Sequence, residues 1–206
     1  MPRTEAFDTY SDAYDEWFDR HAAEYHAELA VIRRLLPSPH AKGLEVGVGS
    51  GKFAAPLGIG IGIEPSTEMA RRASRRGVAV CRGIAEELPI MSGQVDFVLL
   101  VTTICFVDDV GCTFREAFRV LKTGGCSLVG FVDKESDLGR QYAANRTSSR
   151  FYQHATFFST PEVLRYLEDA GFSVTDILQT LNPRERPATI RDGYGEGAFV
   201  VIKAVK

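Results

Sequence analysis

Hydrophobic positions follow two different periods along the chain. Between residues 5 and 36, Phe7, Tyr10, Tyr14, Trp17, Phe18, Tyr25, Leu29, Ile32, Leu35 and Leu36 fall near three- and four-residue spacing. This predicts one or two amphipathic helices, stopped by Pro37-Ser38-Pro39. From residue 42 the pattern changes to short apolar runs, at 42–49, Ile59–Ile63, Val78–Arg82, Val95–Val101 and Cys126–Val132. Continuous apolar runs separated by helical segments predict a parallel sheet covered on both faces.

The connections follow from the punctuation between these runs. Between Gly51 and Ile59 there is room for barely two helical turns, and Pro56 limits even those, so the first crossover is short for a parallel connection. Gly58, Gly60 and Gly62 alternate with isoleucines and predict a second strand with one bare face, open to close packing by a helix. Ser66 is placed to cap a helix that runs to about Arg76 and ends at Gly77. A helix from about Gly111 carries Phe114, Ala117, Phe118 and Leu121, with Lys122-Thr123-Gly124-Gly125 ending it. Thr160-Pro161-Glu162 starts another that reaches Ala170-Gly171, and strands at 172–181 and 197–205 close the chain. With no internal repeat and no domain boundary, residues 1–206 read as one domain. Residues 1–40 would form a helical cap, and 134–158, which lack a clear period, a lid-like insertion at the carboxyl edge of the sheet.

Composition narrows the partners. The 206 residues are 45% hydrophobic and 25% charged, ordinary globular values, and the formal net charge of −3 gives no general attraction to nucleic acid or an anionic membrane. Arg71-Arg72 with Arg75-Arg76 is spaced as the solvent face of a helix. Cys81, Cys105, Cys112 and Cys126 show no zinc-ligand spacing, so no metal is expected, and reduced thiols are the default. The start, Met1-Pro2-Arg3-Thr4-Glu5, is not followed by an apolar core, and no apolar run approaches membrane-spanning length. The expectation is a soluble, cytoplasmic protein; the sequence leaves its oligomeric state open.

The chemistry concentrates in Gly43-Leu44-Glu45-Val46-Gly47-Val48-Gly49-Ser50-Gly51 and in Ile59-Gly60-Ile61-Gly62-Ile63-Glu64-Pro65. An apolar strand enters a loop with alternate glycines, and a second strand ends in an acid placed to accept hydrogen bonds from ribose hydroxyls, half of a nucleotide-binding α/β fold. In the dinucleotide fingerprint the third glycine would stand where Lys52 is. Glu45, two residues before the first glycine, would repel a pyrophosphate but favour a cationic ligand. S-adenosylmethionine has an adenosine for Glu64, no phosphate, and both an ammonium and a sulfonium near the glycine turn.

Four motifs in order resemble the class I S-adenosylmethionine-dependent methyltransferases, in particular the type 11, small-molecule group: Leu44–Gly51, Glu64-Pro65-Ser66, Gly83-Ile84-Ala85-Glu86-Glu87-Leu88-Pro89, and Glu116–Gly125. The resemblance covers roughly residues 42–133 and implies a Rossmann-like α/β fold, a seven-stranded sheet in the order 3-2-1-4-5-7-6 with the last strand antiparallel and helices on both faces. It implies that Gly47 and Gly49 pass beneath the methionine moiety, so that a valine at Gly47 would obstruct the donor, and that Glu64, followed by Pro65, holds the ribose. Met69 and Ile84 would flank the adenine, with Gly83, Ala85 and Glu86 along its edge, and Val101, Thr102 and Thr103 would lie beside the donor. Ile84 stands where many relatives carry an aspartate.

On the acceptor side, the fourth strand ends Val101-Thr102-Thr103-Ile104-Cys105-Phe106, without the Asn/Asp-Pro-Pro-Tyr/Phe signature of amino-group methyltransferases that act on bases. A small-molecule acceptor and no nucleic acid is the resulting expectation. Tyr14 is a candidate donor contact, and Trp17, Cys105, Phe106, Tyr142, His154 and Tyr194 are candidate acceptor contacts, as lining of a mostly apolar pocket under the N-terminal helix and the 134–158 insertion. Asp108, Asp109, His154, Tyr194 and Glu196 are possible general bases, and the sequence assigns the role to none. The loop Gly193-Tyr194-Gly195-Glu196-Gly197 either projects into the pocket or turns a hairpin. Two other classes stay open: a nicotinamide-dependent oxidoreductase, disfavoured by Glu45 and Lys52, and a non-catalytic methyltransferase-like binding module.

Overall fold

The computed structural model describes residues 4–182 and 189–206. Three helices precede the sheet, α1 (Glu5–Thr9), α2 (Ser11–Arg20) and α3 (Ala22–Leu35), where one or two were expected. Tyr10 and His21 interrupt the helical run with φ/ψ of −114/30° and −116/42°. Leu36 turns extended ahead of Pro37, as a residue before proline must.

The sheet then assembles from β1 (Gly43–Val46), β2 (Ile61–Glu64), β3 (Ala79–Arg82), β4 (Val95–Val101), β5 (Leu121–Val132), β6 (Ser173–Thr180), β7 (Arg191–Asp192) and β8 (Phe199–Val205). Its order is β3-β2-β1-β4-β5-β8-β6-β7. The first five strands are parallel, and β8 lies antiparallel between β5 and β6. This is the expected seven-stranded order with the two-residue β7 added at the edge, antiparallel to β6. Helices α4 (Ala54–Leu57), α5 (Thr67–Arg75), α6 (Val110–Val120), α7 (Asp137–Ala144) and α8 (Thr160–Asp169) complete the fold.

Alternation along each strand divides the core into two layers. One holds Leu44, Val46, Val98, Leu100, Phe114, Ala117 and Leu167; the other holds Val31, Ile32, Phe53, Leu99, Leu128, Phe199 and Val201. The short β1–β2 crossover closes because Pro56 sits in the first turn of α4, where its missing N–H is no loss, and Gly58 ends the helix at φ 74°.

Four local expectations are corrected. Gly58 and Gly60 face open space, and what fills the bare side of β2 at Gly62 is the loop residue Val48, whose Cγ1 would stand 2.6 Å from an added Cβ. Helix α6 stops at Val120, before Lys122–Gly125: Leu121 is already extended and pairs with Val95, and Gly124 at φ 77° sits in the irregularity where the β4–β5 register shifts. Within 134–158 there is a helix, α7, begun by Ser136, whose hydroxyl accepts from the Gly139 amide at 2.9 Å. The arginine run is not simply a solvated face, because Arg72 and Arg76 turn towards α2 and pair with its aspartates.

Candidate functional site

The glycine turn, the acidic strand end and the end of β4 meet at the carboxyl edge of the parallel strands, where ligands bind in sheets of this kind. Gly47 and Gly49 adopt φ of 68° and 54°, left-handed values that a side chain resists. A Cβ at Gly49 would stand 3.4 Å from the Tyr14 hydroxyl, so the turn and Tyr14 form a cradle that the missing side chain keeps open. At Gly47 the Cβ would instead strike the Thr103 side chain, with Cγ2 at 2.5 Å and Oγ1 at 2.6 Å. A valine there therefore disrupts the protein before it reaches any ligand. Thr103 is fixed in turn by donating to the carbonyls of Val46 and Val101 at 3.0 and 3.1 Å. Beside it Thr102 takes φ 49°, a strained value for a threonine, at the point where β4 ends.

Glu64 ends β2 with its carboxylate held from both sides. The Gly49 amide donates to Oε2 and the Ser66 amide to Oε1, each at 2.8 Å. Burial pushes its pKa to about 7 against those two hydrogen bonds and the Arg82 charge. Each oxygen keeps a lone pair for a further donor.

A cavity of about 410 Å³ opens over these residues, within the ~300–1,000 Å³ span of small-molecule sites. Its wall includes Gly47, Gly49, Glu64, Pro65, Met69, Gly83, Ile84, Ala85, Glu86, Val101, Thr102 and Thr103, together with Tyr14, Trp17, Phe106 and Tyr142. Sixteen of the twenty residues expected from sequence thus come together. The remaining four do not reach the cavity.

Glu45 is one of these. It is 1% exposed and points into the layer on the α3 side of the sheet, opposite Leu44 and Val46; its Oε2 has no hydrogen-bond partner among the described residues. Burial drives its pKa well up, against a backbone hydrogen bond from Ala54 and with Glu64 adding to the rise. Cys105 lies behind the chamber, in a small side pocket with Phe131 and Phe157, its Sγ 3.2 Å from the Thr102 carbonyl. Burial pushes the thiol up to about 12, which leaves a small apolar residue instead of a nucleophile. His154 and Tyr194 are exposed, the latter 44%. Tyr194 belongs to the connection that crosses from β7 to β8 on the other side of β6, whose Glu196 and Gly197 amides donate to Gln179 Oε1 at 2.8 and 2.7 Å, and Glu196 itself pairs with Arg191 at 2.9 Å. Asp109 is the N-cap of α6, accepting from the Cys112 amide at 2.8 Å.

The rest of the wall is aromatic and comes from two distant segments. Phe7 of α1 packs on Phe106 and Phe151, with ring centroids 5.1 and 5.5 Å away. Tyr152 stacks on Phe106 at 5.8 Å and on Tyr142 of α7 at 5.2 Å. Burial holds the Tyr14, Tyr142 and Tyr152 phenols above their ordinary value, so each stays protonated at neutral pH. Polar links fasten α1 and α2 onto the glycine turn and α5. Asp8 accepts from Ser66 Oγ at 2.7 Å and the Glu68 amide at 3.1 Å. Asp15 takes Ser50 Oγ at 2.5 Å, Arg76 at 2.7 Å and Arg72 at 3.1 Å. Burial raises the Asp15 pKa, but these three donors more than offset it and leave the carboxyl below its ordinary range.

Sequence reasoning missed Glu28 of α3, which also lines the cavity. A signal existed: Glu28 lies three residues after Tyr25 and four before Ile32, on the apolar side of the helix.

A parallel sheet of this order, with a glycine turn and an acidic strand end at its carboxyl edge, defines a nucleoside-binding α/β protein. A family model for methyltransferase domains matches residues 44–129. An uncharacterized protein of Methanocaldococcus jannaschii is 38% identical over 97% of this chain and 98% of its own, and one of Mycobacterium tuberculosis is 34% identical over 100% of this chain and 75% of its own. A solved structure from Thermotoga maritima, a SAM-dependent methyltransferase described as a possible histamine N-methyltransferase, is 46% identical, covers 98% of this chain and 99% of that one, and superposes with a TM-score of 0.94. The chain belongs to the class I S-adenosylmethionine-dependent methyltransferases, and its cofactor is S-adenosylmethionine. The open cradle over Gly49 and the spare lone pairs of Glu64 fit that cofactor. No helix among the described residues is long and apolar enough to cross a membrane.

Proposed function

We propose that this methyltransferase acts on a small-molecule acceptor held beneath the N-terminal helices and the 134–158 segment. The observation that carries the reading is one continuous cavity, which runs from the Gly47–Glu64 edge to the aromatic wall of Trp17, Phe106, Tyr142 and Tyr152. Residues 1–40 act as a cap and 134–158 as a lid, and the described wall of the chamber carries two arginines, Arg20 and Arg150, too few for the basic track that a nucleic acid needs. On this reading Glu64 accepts from the ribose hydroxyls, and Met69 and Ile84 enclose the adenine, with Gly83, Ala85 and Glu86 along its edge. Gly47, Gly49 and Thr103 support the methionine moiety.

The cofactor supplies a methyl group activated by its sulfonium, ready for in-line displacement. What the protein contributes is position and dryness: an acceptor atom aligned with the methyl, in a chamber whose aromatic wall excludes water. The description of the Thermotoga relative supports trying small amines first. The test is incubation with methyl-labelled cofactor and a cell extract split into small-molecule and macromolecular fractions. Label entering the small-molecule fraction is expected; label confined to protein or nucleic acid would overturn the proposal.

A further inference from the structure

We infer that Glu28 is the anchor for a positively charged nitrogen of the methyl acceptor, making this an enzyme for cationic or basic nitrogen compounds. The inference deepens the function proposed above and rests on it.

The geometry is that of a carboxylate kept for a ligand. Glu28 is 6% exposed, and what exposure it has is to the cavity it lines, alongside Trp17, Phe18, Val132 and Tyr142. It makes no hydrogen bond and no ion pair among the described residues. The other two carboxylates of the wall are already engaged, Glu64 by the Gly49 and Ser66 amides, and Glu86 by the Asp108 amide at 2.7 Å. The two cations of the wall are also directed elsewhere: Arg20 reaches Glu16, and Arg150 lies over the Tyr10 ring at 5.0 Å. No core function explains an unpaired carboxyl here, since a leucine would pack on α3 without the cost of burying it.

The surroundings are those that favour a cation. Phenol rings of Tyr14, Tyr25, Tyr142 and Tyr152 lie within electrostatic reach of Glu28, and Tyr14, Tyr142 and Tyr152 also line the cavity. Aromatic faces and a desolvated carboxylate together attract an ammonium and reject an anion. Burial is the main influence on Glu28 itself and Glu24 adds to it, raising the pKa to about 8; no cation among the described residues offsets them. A bound ammonium would supply the missing counter-charge. Glu28 is separate from the residues assigned to the donor, so its loss is expected to spare cofactor affinity.

The experiment is calorimetric titration of the protein saturated with S-adenosylhomocysteine, using three probes of similar size: phenethylamine, 2-phenylethanol and 3-phenylpropionate. Amine binding well above that of the alcohol and the acid is expected. In Glu28→Gln the amine should weaken about 10- to 100-fold, the worth of a hydrogen bond to a charged group, while S-adenosylhomocysteine affinity and the far-UV spectrum stay unchanged. Equal binding of amine and alcohol, no amine binding, or an amine affinity indifferent to Glu28→Gln overturns the inference. Failure of the proposed function has its own signature, namely label that never enters a small molecule whatever the state of Glu28.

Discussion

The two halves of the cavity are made of different material. The half assigned to the donor is built from backbone: left-handed glycines, a strained Thr102, and a carboxylate gripped by two amides at 2.8 Å. The half assigned to the acceptor is built from side chains, brought by α1, α2, α7, the 146–154 stretch and Phe106 beyond β4, and joined by ring contacts of 5–6 Å. Backbone geometry tolerates few substitutions, so the donor half is the part that a family can share. Side chains on capping segments change without disturbing the sheet, which leaves the acceptor half free to specialise.

Substitutions should separate the halves by the size and kind of their effects. The largest is expected for Gly47→Val, which combines φ 68° with a collision against Thr103. Roughly 3 kcal/mol or more of stability should be lost, together with donor binding, as read from chemical denaturation and calorimetry. A stable variant that merely binds the donor weakly would mean that the turn is softer than its geometry implies.

The next effect lies in the acceptor half and depends on pH. Glu28 in the folded protein titrates at about 8 against an ordinary 4.5, so the native state holds the proton more tightly than the unfolded chain does. Its contribution is complete below about pH 4.5 and is lost as pH rises through 8. Glu28→Gln should therefore stabilise the protein at pH 9 by roughly 2–4 kcal/mol relative to its effect at pH 5. The part of the pH dependence due to Glu64 and Glu45 should persist in the variant. Denaturation midpoints at both pH values check this, and equal differences at the two would contradict it.

Glu64→Gln comes third, with a loss of about 1–3 kcal/mol in donor binding, because one charged acceptor is replaced by an amide. Acceptor-probe affinity, measured with the donor saturated, should not follow. The smallest effect is expected for Asp15→Asn, which weakens the tie between α2 and the Ser50–Arg72–Arg76 group by about 1 kcal/mol, less in high salt. The Asp15 carboxyl is held below its ordinary range, so in the wild type this tie is present above about pH 4 and fails as the solution becomes more acid. Melting curves at low and high salt measure it.

The same division governs what the sequence revealed. Strand β4 is legible to the residue, and the sheet order follows from apolar runs and motifs, because burial on both faces leaves no other pattern. Most of the site residues that came together did so for the same reason, since motifs at strand ends are placed by the sheet, whereas Tyr14, Trp17 and Tyr142 arrive on helices α2 and α7. The failures are orientational. Glu45 has the composition of a ligand contact, but alternation along β1 turns it away from the cavity, and nothing in composition reveals that. Glu28 was lost among Leu29, Val31 and Ile32, where a charge reads as solvent-facing unless its place on the apolar side of α3 is counted. His154 and Tyr194 were placed by residue type alone, and both side chains lie exposed, Tyr194 on a segment that hydrogen-bonds to Gln179. Helix α7 carries Gly139, which breaks the helical pattern but is needed because a Cβ there would lie 2.0 Å from the Asp133 carbonyl oxygen.

The most direct measurement is calorimetric titration of the purified protein with S-adenosylmethionine and S-adenosylhomocysteine, with NAD as the competing cofactor. The account predicts micromolar binding of the first two, weakened in Glu64→Gln, and none of NAD. Binding of NAD alone, or donor binding indifferent to Glu64, would contradict the assignment of the glycine turn and the β2 acid to the methyl donor.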